Sequence, residues 1–114
     1  MIINNFTTLK KRQSFLDIRK EGFSISCNNL IFNFKKNINK NELKVFFYGI
    51  TVSRKIGNAV KRNYCKRLIR ALIILNNPSL PIGYSVEIIP KKNSKLRFKA
   101  FQKDFDFFKN ELVN

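Results

Sequence analysis

The sequence contains no histidine and no tryptophan, and only seven of its 114 residues are acidic. The absence of histidine removes the commonest general base and the commonest metal ligand of proteins. Seven carboxylates are also few for a nuclease that holds its own metal ions. We therefore expect no catalytic site built from the protein alone.

The positions of the carboxylates point the same way. Only Asp104 and Asp106 lie close together, and on a helix their side chains would point about 200° apart, so they cannot share a metal ion. Asp17 and Glu21 lie one helical turn apart among Lys and Arg neighbours, which favours a helix-surface role. The four glycines are isolated, so the chain has no glycine-rich phosphate loop.

Cysteine and long apolar runs are scarce as well. Cys27 and Cys65 are far apart and form no C-x-x-C pair, which is typical of reduced, unreactive thiols in a cytosolic protein. Residues 1–10 lack the basic and then apolar pattern of a secretory signal. The longest apolar runs, 45–48 and 71–75, are far below the roughly 18 residues of a membrane span. We expect a soluble, cytoplasmic protein.

What the sequence has in excess is positive charge. Lys and Arg number 23, so the formal net charge is +16, while the hydrophobic fraction of 44% suffices for a globular core. The length predicts one domain over residues 1–114. A domain with this charge repels itself unless a polyanion covers it, so nucleic acid is the leading partner and an anionic membrane surface the second.

Apolar periodicity and turn residues predict seven elements. Helices are predicted at residues 12–21 and 58–75 and after Ser94, and strands at 23–27, 30–34, 43–53 and 84–89, with a loop at 35–41. Gly22, Asn58 and Ser94 are the predicted caps. The last helix has one apolar face formed by Phe98, Phe101, Phe105, Phe108 and Leu112. The order α-β-β-β-α-β-α predicts an α+β sandwich with helices packed on a sheet.

The segment 53–70 holds seven of the 23 basic residues in 18 positions. On a helix beginning near Val60, one side is predicted to face the core: Tyr64, Cys65, Leu68, Ile69, Ala71 and Leu72. The other side carries Arg62, Asn63, Lys66, Arg67 and Arg70. It has no acidic partner, and its i, i+4 row of like charges costs stability unless phosphates neutralise it. A merely solvated basic face is the alternative; a membrane surface is disfavoured because the apolar side is expected in the core.

The ordered pattern K-x-G-x-A-V-x-R-N-x-x-K-R-x-x-R, from Lys55 to Arg70, resembles the signature of the protein subunit of bacterial ribonuclease P. Residues 9–22 are similar to the first helix of that family, and residues 49–55 resemble its third strand and the approach to the signature. The resemblance covers most of the chain. It implies a compact sandwich with a left-handed β-α-β crossover. It also implies a signature helix that contacts the catalytic RNA and a cleft, between the first helix and the sheet, that holds the 5′ leader of precursor tRNA.

The resemblance assigns roles residue by residue. Contacts to the catalytic RNA are expected from Arg54, Lys55, Arg62, Asn63, Lys66, Arg67 and Arg70. Phe15 matches the cleft aromatic that would stack on unpaired leader bases, although a core phenylalanine is the alternative. Arg19 and Asn33 stand where family members often have further aromatics, so we expect a leader cleft with less stacking and more charge. Gly57 permits an unusual backbone conformation or is an ordinary loop glycine.

The function expected from this resemblance is the protein component of ribonuclease P. The RNA, with magnesium bound mainly by the RNA subunit, would remove the leader, and the protein would raise substrate affinity. The expected partners are the catalytic RNA and precursor tRNA, with no membrane and no obligate protein partner. Two alternatives stay open: a structural RNA-binding protein of ribosomal type, against which the signature helix and the lack of long basic tails argue, and a basic membrane-surface protein.

Overall fold

The structure is a computed structural model that describes residues 6–113. It contains three helices, α1 (Arg12–Glu21), α2 (Ala59–Leu75) and α3 (Phe98–Val113), and five strands, β1 (Phe6–Thr8), β2 (Phe23–Ser26), β3 (Leu30–Lys36), β4 (Phe46–Ile50) and β5 (Tyr84–Pro90). Short 3₁₀ turns occupy Lys40–Glu42, Arg54–Ile56 and Asn77–Ser79. The absence of a secretory signal was predicted partly on residues 1–5, which lie outside the described residues.

The five strands form one sheet in the order β1-β4-β5-β3-β2. Strands β1, β4 and β5 run parallel, and β3 is antiparallel to both of its neighbours, β5 and β2. Neighbouring parallel strands need a crossover connection, because a tight turn can join only antiparallel strands. Helix α2 provides it between β4 and β5. The left-handed sense that the resemblance implies for this connection stays a prediction.

The hydrophobic core lies on the face of the sheet that α2 and α3 cover. Because side chains alternate along a strand, Phe32, Phe46, Val86 and Ile88 all point to this face and are buried. Helix α3 contributes the apolar stripe predicted for it, of which Phe101, Phe105 and Phe108 are 0–1% exposed. The ring of Phe32 stacks on Phe108 with centroids 4.3 Å apart. Phe98, at the start of the stripe, is 40% exposed.

The opposite face of the sheet is polar and is covered by α1 alone. Ile18 is the one residue of α1 that is buried. The N–H of Gly22 donates to the carbonyl of Ile18 and closes the helix, which confirms the predicted cap. One short helix cannot cover five strands, so a cleft remains between α1 and this face.

The predicted fold class is confirmed, with differences at particular elements. Strand β1 was not predicted, because its three residues gain their stability from pairing with β4 rather than from a local pattern. The loop predicted at 35–41 begins two residues later, since β3 stays paired with β5 as far as Lys36. The strand predicted at 43–53 is limited to Phe46–Ile50. The predicted cap Ser94 is wrong: it lies in a turn four residues before α3, and its buried Oγ has no partner among the described residues.

Candidate RNA interface

The start of α2 is fixed by two short side chains and one glycine. Oδ1 of Asn58 accepts a hydrogen bond from the N–H of Lys61 at 3.0 Å, as predicted for the cap. Oγ of Ser53 accepts from the N–H of Lys55 at 3.2 Å. Gly57 has φ of 145°, and a Cβ there would lie 2.7 Å from Cδ of Lys61. The unusual-conformation alternative for Gly57 is therefore the one the structure adopts.

The cations predicted to contact RNA lie together along α2 and the turn before it. Arg54 and Lys55 are exposed in the 3₁₀ turn, Asn63, Arg67 and Arg70 are exposed on α2, and Arg62 and Lys66 are partly buried beside them. Within residues 6–113, the three ion pairs involve none of these side chains. Like charges one turn apart thus remain without a protein counter-charge, which is the arrangement that a phosphate backbone neutralises.

The apolar side of α2 differs from the prediction. Cys65, Leu68, Ile69 and Leu72 are buried as expected, and Ile73 joins them. Tyr64 and Ala71, predicted to face the core, are exposed, Tyr64 by 48%, and Val60 at the start of the helix is 76% exposed. The helix is rotated about its axis so that these residues point away from the sheet. The periodicity of the sequence does not determine this rotation. The burial of this side therefore no longer counts against a membrane surface.

The exposed apolar residues of α2 add shape to the basic face. Val60, Tyr64 and Arg67 line a cavity of about 400 Å³ together with Lys61 and Asn63. An aromatic ring beside a guanidinium group and an amide suits an unpaired base as well as a phosphate. The outer surface of α2 is therefore a mixed rather than purely ionic surface.

The residues predicted for the leader cleft lie in one row across the polar face. Asn33, Glu87 and Gly49 are register partners on β3, β5 and β4. Phe15 of α1 packs on Gly49 so closely that a Cβ at that position would overlap its ring. Phe15 is half-buried and is not part of the main core cluster of the described residues. The ring thus lies on the cleft side of the sheet.

Arg19 and Asn33 meet at Glu87, a residue that sequence reasoning did not assign to the site. Nε and Nη2 of Arg19 donate to its two carboxylate oxygens at 2.9 and 2.5 Å. The hydroxyl of Thr51 donates at 2.6 Å and the amide of Asn33 at 3.4 Å. The Glu87 side chain is fully buried, whereas that of Arg19 is 49% exposed. Burial would raise the pKa of Glu87, but hydrogen bonds from Arg19, Thr51 and Asn33 lower it below its ordinary value.

Two cavities lie beside α1, and one of them reaches α2. One of about 250 Å³ is lined by Phe15, Gly49 and the α2 cations Lys66 and Arg70. A second, of about 490 Å³, follows the start of α1 past Lys10 and Lys11. A strand of RNA in the cleft would therefore lie beside the cations of α2.

The other side chains considered for metal binding or nucleophilic chemistry are Asp104, Asp106 and Cys65, and their surroundings favour structural roles. Oδ2 of Asp104 accepts from the N–H groups of Asn29 and Leu30, whereas Asp106 lies exposed beside Lys109. Burial raises the pKa of Cys65 to about 11, so its thiol is protonated and unreactive. Among residues 6–113, no three His, Cys, Asp or Glu side chains are grouped so that they could hold a metal ion. No helix of this part of the chain has the length and apolarity needed to cross a membrane.

The fold and site define a class: a small, strongly basic α+β protein with a cationic helix beside the polar face of its sheet. A sequence model described as Ribonuclease P matches residues 3–112. The chain therefore belongs to the ribonuclease P protein family.

Individual relatives agree with this assignment. The chain is 35% identical to the ribonuclease P protein component of Fusobacterium nucleatum, over 93% of this chain and 97% of that protein. It is 34% identical to that of Thermotoga maritima, over 93% and 86%. The solved ribonuclease P protein of Staphylococcus aureus superposes with a TM-score of 0.76 at 28% identity and covers 88% of this chain and 89% of its own. The T. maritima structure gives 0.68 at 32%, with 95% and 93% covered. These comparisons give no support to the ribosomal alternative.

Proposed function

We propose that this chain is the protein component of ribonuclease P and that α2 is its contact with the catalytic RNA. The observation that carries the proposal is the row of cations on α2 without protein counter-charges, which lies beside a cleft that contains an aromatic side chain. The family supplies the identity of the RNA. Arg54 and Lys55 extend the contact to the turn before α2, and Asn63 adds an uncharged donor and acceptor.

The second part of the proposal is that the cleft between α1 and the sheet binds the 5′ leader of precursor tRNA. The edge of the Phe15 ring packs against Gly49. An aromatic ring in the cleft suits stacking on bases of any sequence. Arg19 and Asn33 line the same row, but both hydrogen bond to Glu87. The cleft therefore carries a fixed guanidinium plane in place of a second aromatic ring, and its charge is partly neutralised.

The proposal assigns leader removal to the RNA subunit and to magnesium bound mainly by that RNA. The described residues supply no set of carboxylates that suits a metal-dependent nuclease. What the protein supplies is binding: α2 and the cleft hold the two RNA partners side by side. Activity in the cytoplasm, without an obligate protein partner, is part of the same proposal.

Single-turnover cleavage of a precursor tRNA at low magnesium tests this function. We expect the protein to accelerate cleavage by a bacterial catalytic RNA and to be inactive when the RNA is left out. The acceleration should decrease as the magnesium concentration rises, because the added cations neutralise RNA phosphates, as the cations of the protein do. Tight RNA binding without acceleration would contradict the proposal and leave a general RNA-binding protein.

Replacing Arg67 or Arg62 with alanine should weaken binding to the catalytic RNA. Each phosphate contact that is lost should reduce the log–log salt dependence of affinity by about one unit. The measurement is the dissociation constant for the catalytic RNA across a salt series. Lys40→Ala is the control, since Lys40 is an exposed cation far from α2 in the turn before β4. A slope equal to that of the unmodified protein would remove the tested residue from the interface.

A further inference from the structure

A second basic cluster lies outside the interface described above. Six cations lie within residues 91–103: Lys91, Lys92, Lys95, Arg97, Lys99 and Lys103. This density, six in 13 positions, exceeds the seven in 18 of the signature segment. The first turn of α3 contains no acidic residue. We refer to these six residues as the β5–α3 surface.

The topology places this surface at the same edge of the sheet as the start of α2. Strands β1, β4 and β5 are parallel, so their carboxyl ends lie at one edge of the sheet. The segments that follow them carry Lys10, Lys11 and Arg12 after β1, Arg54 and Lys55 after β4, and the β5–α3 surface after β5. The last two groups follow neighbouring strands, and the β5–α3 surface extends from β5 toward the β2–β3 turn, where the N–H groups of Lys91 and Lys95 donate to Asn29.

Three acidic residues, Glu21, Glu42 and Glu111, lie away from the β5–α3 surface. Glu21 lies in the last turn of α1 and Glu42 in the 3₁₀ turn before β4, both at the amino edge of the sheet, and Glu111 lies near the far end of α3. Within residues 6–113, none of the six cations of the β5–α3 surface forms an ion pair. The β5–α3 surface therefore carries positive charge without an ion-pair partner among these residues, whereas Lys10 and Lys11, after β1, share a cavity with Glu42.

The β5–α3 surface also has a defined shape. A cavity of about 630 Å³ is lined by Lys95, Arg97, Lys99 and Lys103 and by the amides of Asn28 and Asn93. The turn between β2 and β3 forms its wall and is tied to the segment before α3: Oδ1 of Asn29 accepts from the N–H of Lys95 at 2.9 Å. Asp104 also lines this cavity, but it is only 4% exposed and its carboxylate accepts hydrogen bonds from two backbone N–H groups. The four cations therefore surround a concave surface on a fixed framework.

We propose that the β5–α3 surface is a second RNA-contact surface, which binds phosphates of the catalytic RNA. It continues the contact of Arg54 and Lys55 along the carboxyl edge, and the identity of the RNA rests on the proposed function. The 5′ leader is not the partner, because its cleft lies on the α1 face whereas α3 packs on the other face. The lining of cations and amides without an aromatic side chain suits a phosphate backbone rather than unpaired bases.

The experiment compares two double variants that remove equal charge. In Lys95→Ala/Arg97→Ala, we expect weaker binding to the catalytic RNA and a log–log salt slope lower by about two units. Lys40→Ala/Lys44→Ala removes two exposed cations at the opposite edge and should leave the slope unchanged. The preference for precursor over mature tRNA should also stay unchanged in both, and circular dichroism verifies folding.

A second pair of exposed residues, Lys99→Ala/Lys103→Ala, tests the surface independently of the turn before α3 and should give the same loss. Unchanged affinity and slope in both surface variants, with binding still sensitive to Arg67→Ala, would overturn the second surface and leave the proposed function intact. A loss confined to precursor tRNA would also overturn it, since the contact would then be with the leader. If the unmodified protein does not bind the catalytic RNA, the proposed function and the surface both fail.

Discussion

Replacing Arg19 with alanine should lower the free energy of unfolding by roughly 1–3 kcal/mol at neutral pH. The variant removes two hydrogen bonds and the counter-charge from a carboxylate that is fully buried. Thr51 and Asn33 still donate to Glu87, and water can enter where the half-exposed guanidinium was, so the loss stays below that of a fully buried pair.

The pH dependence separates this cause from a simple loss of packing. In the unmodified protein the pKa of Glu87 is lowered, so its stabilising contribution is present above its ordinary pKa and is lost as the pH falls through the lowered value. Without Arg19, burial raises the pKa of Glu87, and protonation then favours the folded variant. The difference in unfolding free energy between the two proteins should therefore shrink on going from pH 7 to about pH 4.

Urea denaturation at both pH values measures the effect. Lys20→Ala is the matched control, because it removes an exposed cation from the same helix without a contact to Glu87. The double variant Arg19→Ala/Glu87→Gln should recover part of the loss, since no charge is left buried. An equal loss at both pH values would show that the charge of Glu87 is not involved.

Local patterns in the sequence were sufficient for much of the fold. The helix at 12–21 is confirmed at both ends, because Gly22 closes it through its own backbone. The helix at 58–75 is confirmed together with its cap at Asn58. The Phe stripe of α3 is confirmed as core from Phe101 to Phe108. Each of these features depends on residues that are near one another in the chain.

What the sequence did not predict depends on contacts between distant segments. Strand β1 forms only through pairing with β4, some 40 residues away. The rotation of α2 on the sheet decides that Tyr64 is exposed and Ile73 buried, and a periodic pattern fits either choice. The charge of the segment 91–103 is evident in the sequence, but only the parallel arrangement of β4 and β5 places it at the same edge of the sheet as Arg54 and Lys55.

The sequence contained one signal that Glu87 is a buried, paired carboxylate. A single carboxylate stands within an otherwise apolar strand, Tyr84–Pro90, and a buried charge requires a partner. The sequence does not indicate which cation supplies it, because Arg19 lies 68 residues away. The same pairing explains how the half-exposed guanidinium group of Arg19 is held on the polar face of the sheet.

Replacing Phe15 with alanine should weaken binding of precursor tRNA, relative to mature tRNA, by roughly 1–3 kcal/mol in the holoenzyme. The ring lies over Gly49 at the point where the cleft meets Lys66 and Arg70, so a stacked leader base there would also have its phosphate near the cations of α2. Mature tRNA lacks the leader and should lose nothing. The measurement is the pair of dissociation constants at one salt concentration.

Two further variants separate stacking from packing. Phe15→Leu keeps an apolar side chain over Gly49 but removes the aromatic face, so it should lose most of the precursor preference while it retains more stability than Phe15→Ala. Leu16→Ala removes an exposed apolar side chain from the same turn of α1 and should leave the preference unchanged. If Phe15→Leu binds precursor tRNA normally, or if both tRNAs lose affinity equally, the ring supports the fold rather than the leader. Gly49 leaves just enough room for this ring. If a Phe15 variant keeps its free energy of unfolding but loses the preference for precursor tRNA, Phe15 is a binding residue rather than a packing residue.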